Sequence, residues 1–225
     1  VGSGMSGHGL PPPLSLAGCA ALFARCFPFR AKHDAGGRGR VGADRPASHS
    51  AARSRGRHPA EDCVLLQIAV PTRESVTDYA ELRDDVERLV GRINGTHSVK
   101  QHIPVHYVYG ALPTPELVAR YCAADVMMVT PLRDGMNLVA KEYCMTRINQ
   151  DGVLVLSEFA GASLELKQAI LVNPFDVDGI ASAMEAALQM KPAEQRKRMS
   201  VLRRSVRSHD VHDWADRFIA RLRSA

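Results

Sequence analysis

Residues 125–142, DVMMVTPLRDGMNLVAKE, constrain the fold more tightly than any other stretch of the chain. Asp125 to Thr130 is a short, nearly unbroken apolar run, the kind that fills a parallel strand covered on both faces. Pro131 ends it. Arg133-Asp134-Gly135 is a turn, and its glycine lets the backbone come close to a ligand. Asn137 or a neighbour then opens a helix predicted to run to about Arg147. Strand, turn and helix together put a helix N-terminus at the tip of a buried strand.

That arrangement has a chemical consequence. The amides of Gly135's successors, Met136, Asn137, Leu138 and Val139, lack helical acceptors, and the helix dipole makes this end partly positive. A phosphate is a natural guest. Asp134, on the turn before it, can accept hydrogen bonds from sugar hydroxyls. Glu142 lies four residues after Leu138, one turn deeper on the same face, and can accept two hydroxyls from a ribose. Carboxylate, amide nest and carboxylate suit a nucleotide-sugar.

The rest of the chain from residue 61 alternates strands and helices. Cys63–Val70 is the first expected strand, closed by Pro71-Thr72-Arg73. A long helix follows, from about Ser75 to Ile93, with Val76, Tyr79, Leu82, Val86, Leu89, Val90 and Ile93 as its apolar stripe. Asp84 and Arg88 form an expected i,i+4 pair, and Asn94-Gly95 an expected stop. Pro104–Tyr109 reads as a strand, and Pro104 rules out a helix that would bring His102 and His106 together on a metal. Thr114-Pro115-Glu116 reads as a helix start with Thr114 as cap. Beyond the central motif come a strand at Gly152–Ser157, a short helix at Ala162–Ala169, a strand at Ile170–Val172 and a helix capped by Asp176. Pro192 opens a helix whose basic run, from Arg196 to Arg207, reads as a solvated face over Met199, Leu202 and Val206. The last helix, from about Asp210 to Arg223, carries the stripe Val211, Trp214, Phe218, Ile219 and Leu222. The fold class is α/β: a Rossmann-like parallel sheet with helices on both faces, its ligand at the carboxyl ends of the strands.

Composition divides the chain in two. Residues 1–60 carry eight Arg and one Lys against Asp34 and Asp44, about +7, within a total of +5, so residues 61–225 are slightly acidic. The basic balance is therefore no sign of a nucleic-acid or membrane partner. Residues 1–60 are rich in Gly, Pro, Ala and Arg and show no sustained period beyond a weak apolar run at Leu14–Ala24. We read them as a disordered or non-native segment, a mis-started or out-of-frame stretch joined to a nucleotide-sugar-binding domain at 61–225, with a transit peptide as the alternative. The five cysteines are scattered without C-x2-C, which argues against a zinc site or a disulfide framework. Cys63, Cys122 and Cys144 read as core thiols in a reducing cytoplasm.

PLRDGMNLVAKEY at 131–143, preceded by RINGTH at 92–97 and followed by GVLVLSEFAGAS at 152–163, resembles the trehalose-6-phosphate synthase family of retaining glycosyltransferases. The likeness runs from about Cys63 to Leu222, the family's C-terminal half. It implies the C-terminal domain of a GT-B glycosyltransferase, moving glucose from a nucleotide-glucose to glucose 6-phosphate with no metal and no cofactor. UDP-glucose is the expected donor, with GDP and ADP left open. The resemblance makes Asp134 the catalytic-site carboxylate and Asp134, Gly135, Met136, Asn137, Leu138, Val139 and Glu142 the donor contacts. It adds a base-contacting backbone at Leu112 and an acceptor-phosphate contact at Arg73. The family's R-x-D-Y-x-K-G segment and its N-terminal domain have no counterpart in residues 1–60, so the chain is expected to be inactive alone. A non-catalytic remnant, and a relative with another acceptor (glucosylglycerol-phosphate synthase-like, or a pseudo-glycosyltransferase), stay open. So does association with a second copy or with a full-length synthase; the last helix, which in two-domain relatives covers the other domain, is expected to leave its stripe partly exposed to aggregation or self-association.

Overall fold

The structure, a computed structural model, describes residues 19–25, 63–71, 77–99 and 102–224. In chain order the elements are β1 (Cys19–Arg25), β2 (Cys63–Ala69), α1 (Thr77–His97), β3 (Val105–Tyr109), α2 (Thr114–Ala123), β4 (Val126–Val129), α3 (Leu138–Thr146), β5 (Val153–Ser157), β6 (Ile170–Val172), α4 (Val177–Gln189), α5 (Pro192–Ser208) and α6 (Val211–Ser224). A 3₁₀ turn at Gly161–Leu164 follows β5.

The strands form one sheet in the order β3-β2-β1-β4-β5-β6. Five are parallel, because β2–β3 and β4–β5–β6 pair in parallel and both sets face β1. The exception is β1, which runs antiparallel between β2 and β4, with Cys19 opposite Ala69 and Leu22 opposite both Leu66 and Met127. The sequence reading gave residues 1–60 no strand. β1 falls on the weak apolar run noted there, too short and too isolated to register as a strand without its sheet partners.

Alternation along β4 and β5 explains the layers. Met127, Val129, Leu154 and Leu156 face one core with Tyr121, Ala140, Tyr143, Cys144, Met199 and Leu202, under α2, α3 and α5. Val126, Val153 and Val155 face the other, with Ala183 and Ala187 of α4. β5 is buried at all five positions. Each fully buried aliphatic side chain contributes about 1.5–3 kcal/mol, so β4 and β5 anchor the loops at their carboxyl ends.

Several local expectations shift. α1 runs through Asn94-Gly95 to His97, because the Asn94 amide exchanges two hydrogen bonds with the backbone of Val105, at 2.9 and 3.0 Å, rather than ending the helix. Leu82, Val86, Val90 and Ile93 are half-buried, whereas Leu89 is exposed. Arg88 pairs with Asp85 at 2.6 Å, not with Asp84. The α2 cap is Pro113, with Thr114 already inside the first turn. The helix expected at 162–169 is only the 3₁₀ turn. Cys122 is exposed and Cys63 half-buried, leaving Cys144 as the buried thiol, whose pKa burial pushes up to about 12.

Two arginines hold helix ends. Arg147 Nη1 donates to the carbonyls of Tyr121 at 3.2 Å and Cys122 at 2.5 Å, and Nη2 pairs with Asp151 at 2.8 Å. Arg203 Nη1 donates to the carbonyls of Cys144 and Met145 at 2.8 and 2.6 Å. Each guanidinium satisfies carbonyls orphaned at a helix C-terminus and complements its dipole. Arg203 thereby departs from the solvated face expected of the α5 basic run: it is buried beside Met199 and Leu202, and burial lowers its pKa.

Candidate functional site

β4 ends at Val129, Pro131 is buried, and the chain turns through residues 132–137 into α3. This is the carboxyl edge of the parallel strands, next to the point where the order reverses between β2 and β4, where such sheets bind ligands. Two loops are stitched together there. Gly161 N donates to Asp134 O at 3.0 Å, Ala162 N to Met136 O at 2.7 Å and Asp134 N to Phe159 O at 3.4 Å. The SEFAGAS segment after β5 therefore forms one floor with the DGMN turn after β4.

Asp134 and Asn137 organise the helix start. Asp134 Oδ1 accepts from Met136 N, and its Oδ2 accepts from Asn137 Nδ2, both at 3.0 Å. Asn137 Oδ1 accepts from Ala140 N at 2.9 Å, as an N-cap does. Asn137 holds φ 73, the left-handed region that asparagine tolerates better than most residues. The expected nest of four amides is accordingly narrower. Asp134 occupies the Met136 amide. The amides of Asn137, Leu138 and Val139 find no acceptor among the described residues. The Leu138 side chain is exposed, so this positive helix end opens to solvent.

A cavity of about 290 Å³ lies against this floor, lined by Arg133, Asp134 and Gly135 on one side and by Glu158 to Gly161, Ser163 and Leu164 on the other. Small-molecule sites run from roughly 300 to 1,000 Å³, so it suits one moiety of a larger ligand. Glu142 does not line it. It sits exposed on α3, and its Oε2 accepts from the Tyr121 hydroxyl of α2 at 3.2 Å. Burial, followed by the Glu142 charge, raises the Tyr121 pKa and keeps this phenol a donor. Asp134 thus flanks the α3 start on the β5-loop side, and Glu142 on the α2 side. Gly135 is in the cavity wall, and Leu112 is half-buried against the core, outside the cavity. Arg73 lies outside the described residues.

Some contributors escaped the sequence reading. Tyr121 reads in the sequence only as part of a helix, although its four-residue offset from Leu117 puts it on the buried face. Lys141, next to Glu142, turns away from the helix start and pairs with Glu165 at 2.6 Å, tying α3 to the segment after the 3₁₀ turn. Among the described residues no group of His, Cys, Asp and Glu could hold a metal ion, and no helix is long and apolar enough to cross a membrane.

Residues 54–224 match the sequence model described as Glycosyltransferase family 20. Trehalose-6-phosphate synthase of Mycolicibacterium gilvum (strain PYR-GCK) is 53% identical over 169 residues, which cover 75% of this chain and 34% of that protein. The crystal structure of the alpha,alpha-trehalose 6-phosphate synthase from Burkholderia multivorans superposes with a TM-score of 0.67 at 46% identity, over 71% of this chain and 34% of that one. An alpha,alpha-trehalose-phosphate synthase (UDP-forming) from Burkholderia xenovorans, solved with glucose-6-phosphate, gives a TM-score of 0.67 at 43% identity, over 70% and 35%. The chain spans about a third of the length of the curated relatives it matches.

Proposed function

The chain belongs to glycosyltransferase family 20, and on that premise we propose that it is the nucleotide-sugar-binding part of a trehalose-6-phosphate synthase. The reaction is glucosyl transfer from UDP-glucose to glucose 6-phosphate with retention of configuration. The Burkholderia xenovorans relative is named as UDP-forming and was solved with glucose-6-phosphate, and we extend both substrates to this protein. The observation that carries the reading is the α3 start: amides of Asn137, Leu138 and Val139 without an acceptor, flanked by the carboxylates of Asp134 and Glu142.

The chemistry follows from that geometry. The bond from the sugar's anomeric carbon to the diphosphate breaks, a hydroxyl of the acceptor forms the new glycosidic bond on the same face, and the hydroxyl's proton passes to the departing diphosphate oxygen. The diphosphate gains charge as it leaves, and amides already aimed at it, at a positive helix end, stabilise that charge without reorganising. Asp134 holds hydroxyls of the transferred sugar beside the cavity, and Glu142, steadied by Tyr121, takes the ribose. Arg73 takes the acceptor phosphate. No metal or cofactor enters, and the protein works in the cytoplasm. The described residues supply the donor side of this reaction.

Calorimetry with UDP and UDP-glucose on the purified chain tests this. Glu142→Gln weakens both ligands, whereas Asp134→Asn, which also disturbs the bonds to Met136 and Asn137, weakens UDP-glucose more than UDP. Absence of binding at millimolar UDP, or equal affinity for all three proteins, overturns the reading.

A further inference from the structure

We propose that Glu158 is a second sugar-reading carboxylate, which accepts a hydroxyl of the transferred sugar across the cavity from Asp134. This role rests on the donor-binding reading above and adds a specificity-determining contact to it. Asp134 and Glu158 come from loops after different strands, β4 and β5, and line the same cavity of about 290 Å³.

The main chain of Glu158 is fixed on both sides. Its amide donates to Val172 O, at the end of β6, at 3.0 Å. Its carbonyl accepts from the hydroxyl of buried Ser163 at 3.2 Å. The next amide, Phe159 N, donates to the hydroxyl of buried Ser157 at 3.1 Å. The Glu158 side chain, by contrast, makes no hydrogen bond or ion pair with any described residue. A carboxylate anchored in this way, and left without a partner at a cavity wall, is an acceptor set in place before a ligand arrives.

Charge sorts the two ends of the ligand. Arg133, Asp134 and Glu158 set one cation against two carboxylates in the cavity lining. Such a pocket disfavours a phosphate and welcomes hydroxyl protons. The α3 start does the opposite, since the amides of Asn137, Leu138 and Val139 find no acceptor among the described residues and carry the positive end of the helix dipole. A nucleotide-sugar therefore lies with its neutral sugar in the cavity and its diphosphate over the helix end. Phe159 and Leu164 add an apolar wall for the C–H face of the sugar ring. With the ring seated there, Asp134 reads hydroxyls on one edge and Glu158 a hydroxyl on the other. Losing one such charge-assisted bond weakens binding about ten- to hundredfold.

The test is calorimetry on the whole chain with UDP, UDP-glucose and a set of UDP-glucose analogues, each lacking a different hydroxyl of the glucose. Glu158 is exposed, so Glu158→Ala is expected to keep the wild-type urea midpoint. It is expected to weaken UDP-glucose about ten- to hundredfold and to leave UDP affinity unchanged. One analogue that binds the wild type poorly is expected to bind Glu158→Ala as well as UDP-glucose does, because the carboxylate and the hydroxyl it reads are then lost together. A different analogue is expected to show this pairing with Asp134→Asn. Wild-type affinity of Glu158→Ala for UDP-glucose, with UDP still bound, overturns the role of Glu158 and leaves the donor reading standing. Equal weakening of UDP and UDP-glucose, or of every analogue by the same factor, overturns it as well. A wild-type chain that binds no UDP overturns both.

Discussion

Gly161 lies so close to Gly135 that a Cβ on Gly161 would collide with the Gly135 carbonyl oxygen. The two glycines come from loops after different strands, and their contact lets the DGMN turn and the SEFAGAS loop share a floor. Gly161→Ala has to push the loops apart. We expect a loss of about 2–3 kcal/mol in urea unfolding, together with loss of UDP-glucose binding by calorimetry. Gly135→Ala meets nothing within 4 Å and is expected to keep most of its stability, so the pair separates a packing effect from a general intolerance of the loops.

Asn137 combines a cap with a left-handed backbone. Ala at this position loses the bond to Ala140 N and retains an unfavourable φ, so Asn137→Ala is expected to cost about 1–2 kcal/mol. Asn137→Gly loses the same bond but relieves the φ of 73, and is expected to cost less than Ala. Urea midpoints of the two variants check the order; Gly falling below Ala would contradict it.

The Tyr121 hydroxyl holds Glu142 at 3.2 Å. Tyr121→Phe keeps the buried ring and removes this bond, worth about 0.5–1.5 kcal/mol. Unfolding free energy is expected to fall by no more than that amount, and UDP affinity about two- to tenfold. In a double-mutant cycle with Glu142→Gln the two losses are expected not to add, and full additivity would show that the phenol acts elsewhere.

The alkaline limb of stability follows from the buried acids. Cys144 titrates near 9 when unfolded and at about 12 when folded, because burial disfavours its thiolate. The folded pKa is the higher one, so the contribution is whole below pH 9 and is lost as pH rises from 9 towards 12. Tyr143 and Tyr121, both raised by burial, add to the same loss above pH 10. Each group contributes a slope of at most about 1.4 kcal/mol per pH unit. Urea unfolding at a series of pH values is expected to be flat near neutrality and to steepen above pH 9, with a shallower first step in Cys144→Val.

The central motif was legible in the sequence because every local signal agreed. Apolar residues 126–129, Pro131, Gly135 and the cap residue Asn137 each point to strand, turn and helix, and the structure has all three. The α/β sheet with helices on both faces was legible for the same reason. What stayed hidden depends on partners distant in sequence. Asp134 turns onto its own loop because Asn137 and Met136 offer donors, which spacing alone does not reveal. Arg203 reads as one more charge in a basic run until its spacing from Met199 puts it on the buried stripe, beneath the end of α3. Asn94 reads as a stop signal, yet its amide serves the backbone of Val105.

β1 is the one strand that touches both halves of the sheet, for β2 and β4 meet only through it. Its last residue, Arg25, precedes Cys63 by a long stretch of chain, so closing that seam is a non-local event with a large loop entropy. Backbone pairing thus joins β2–β3 to β4–β5–β6 across this one strand, while the cores span it, with Ile68 of β2 among the β4 and β5 side chains. In hydrogen–deuterium exchange the amides that β2 and β4 direct at β1 would open together, ahead of those buried between β4 and β5.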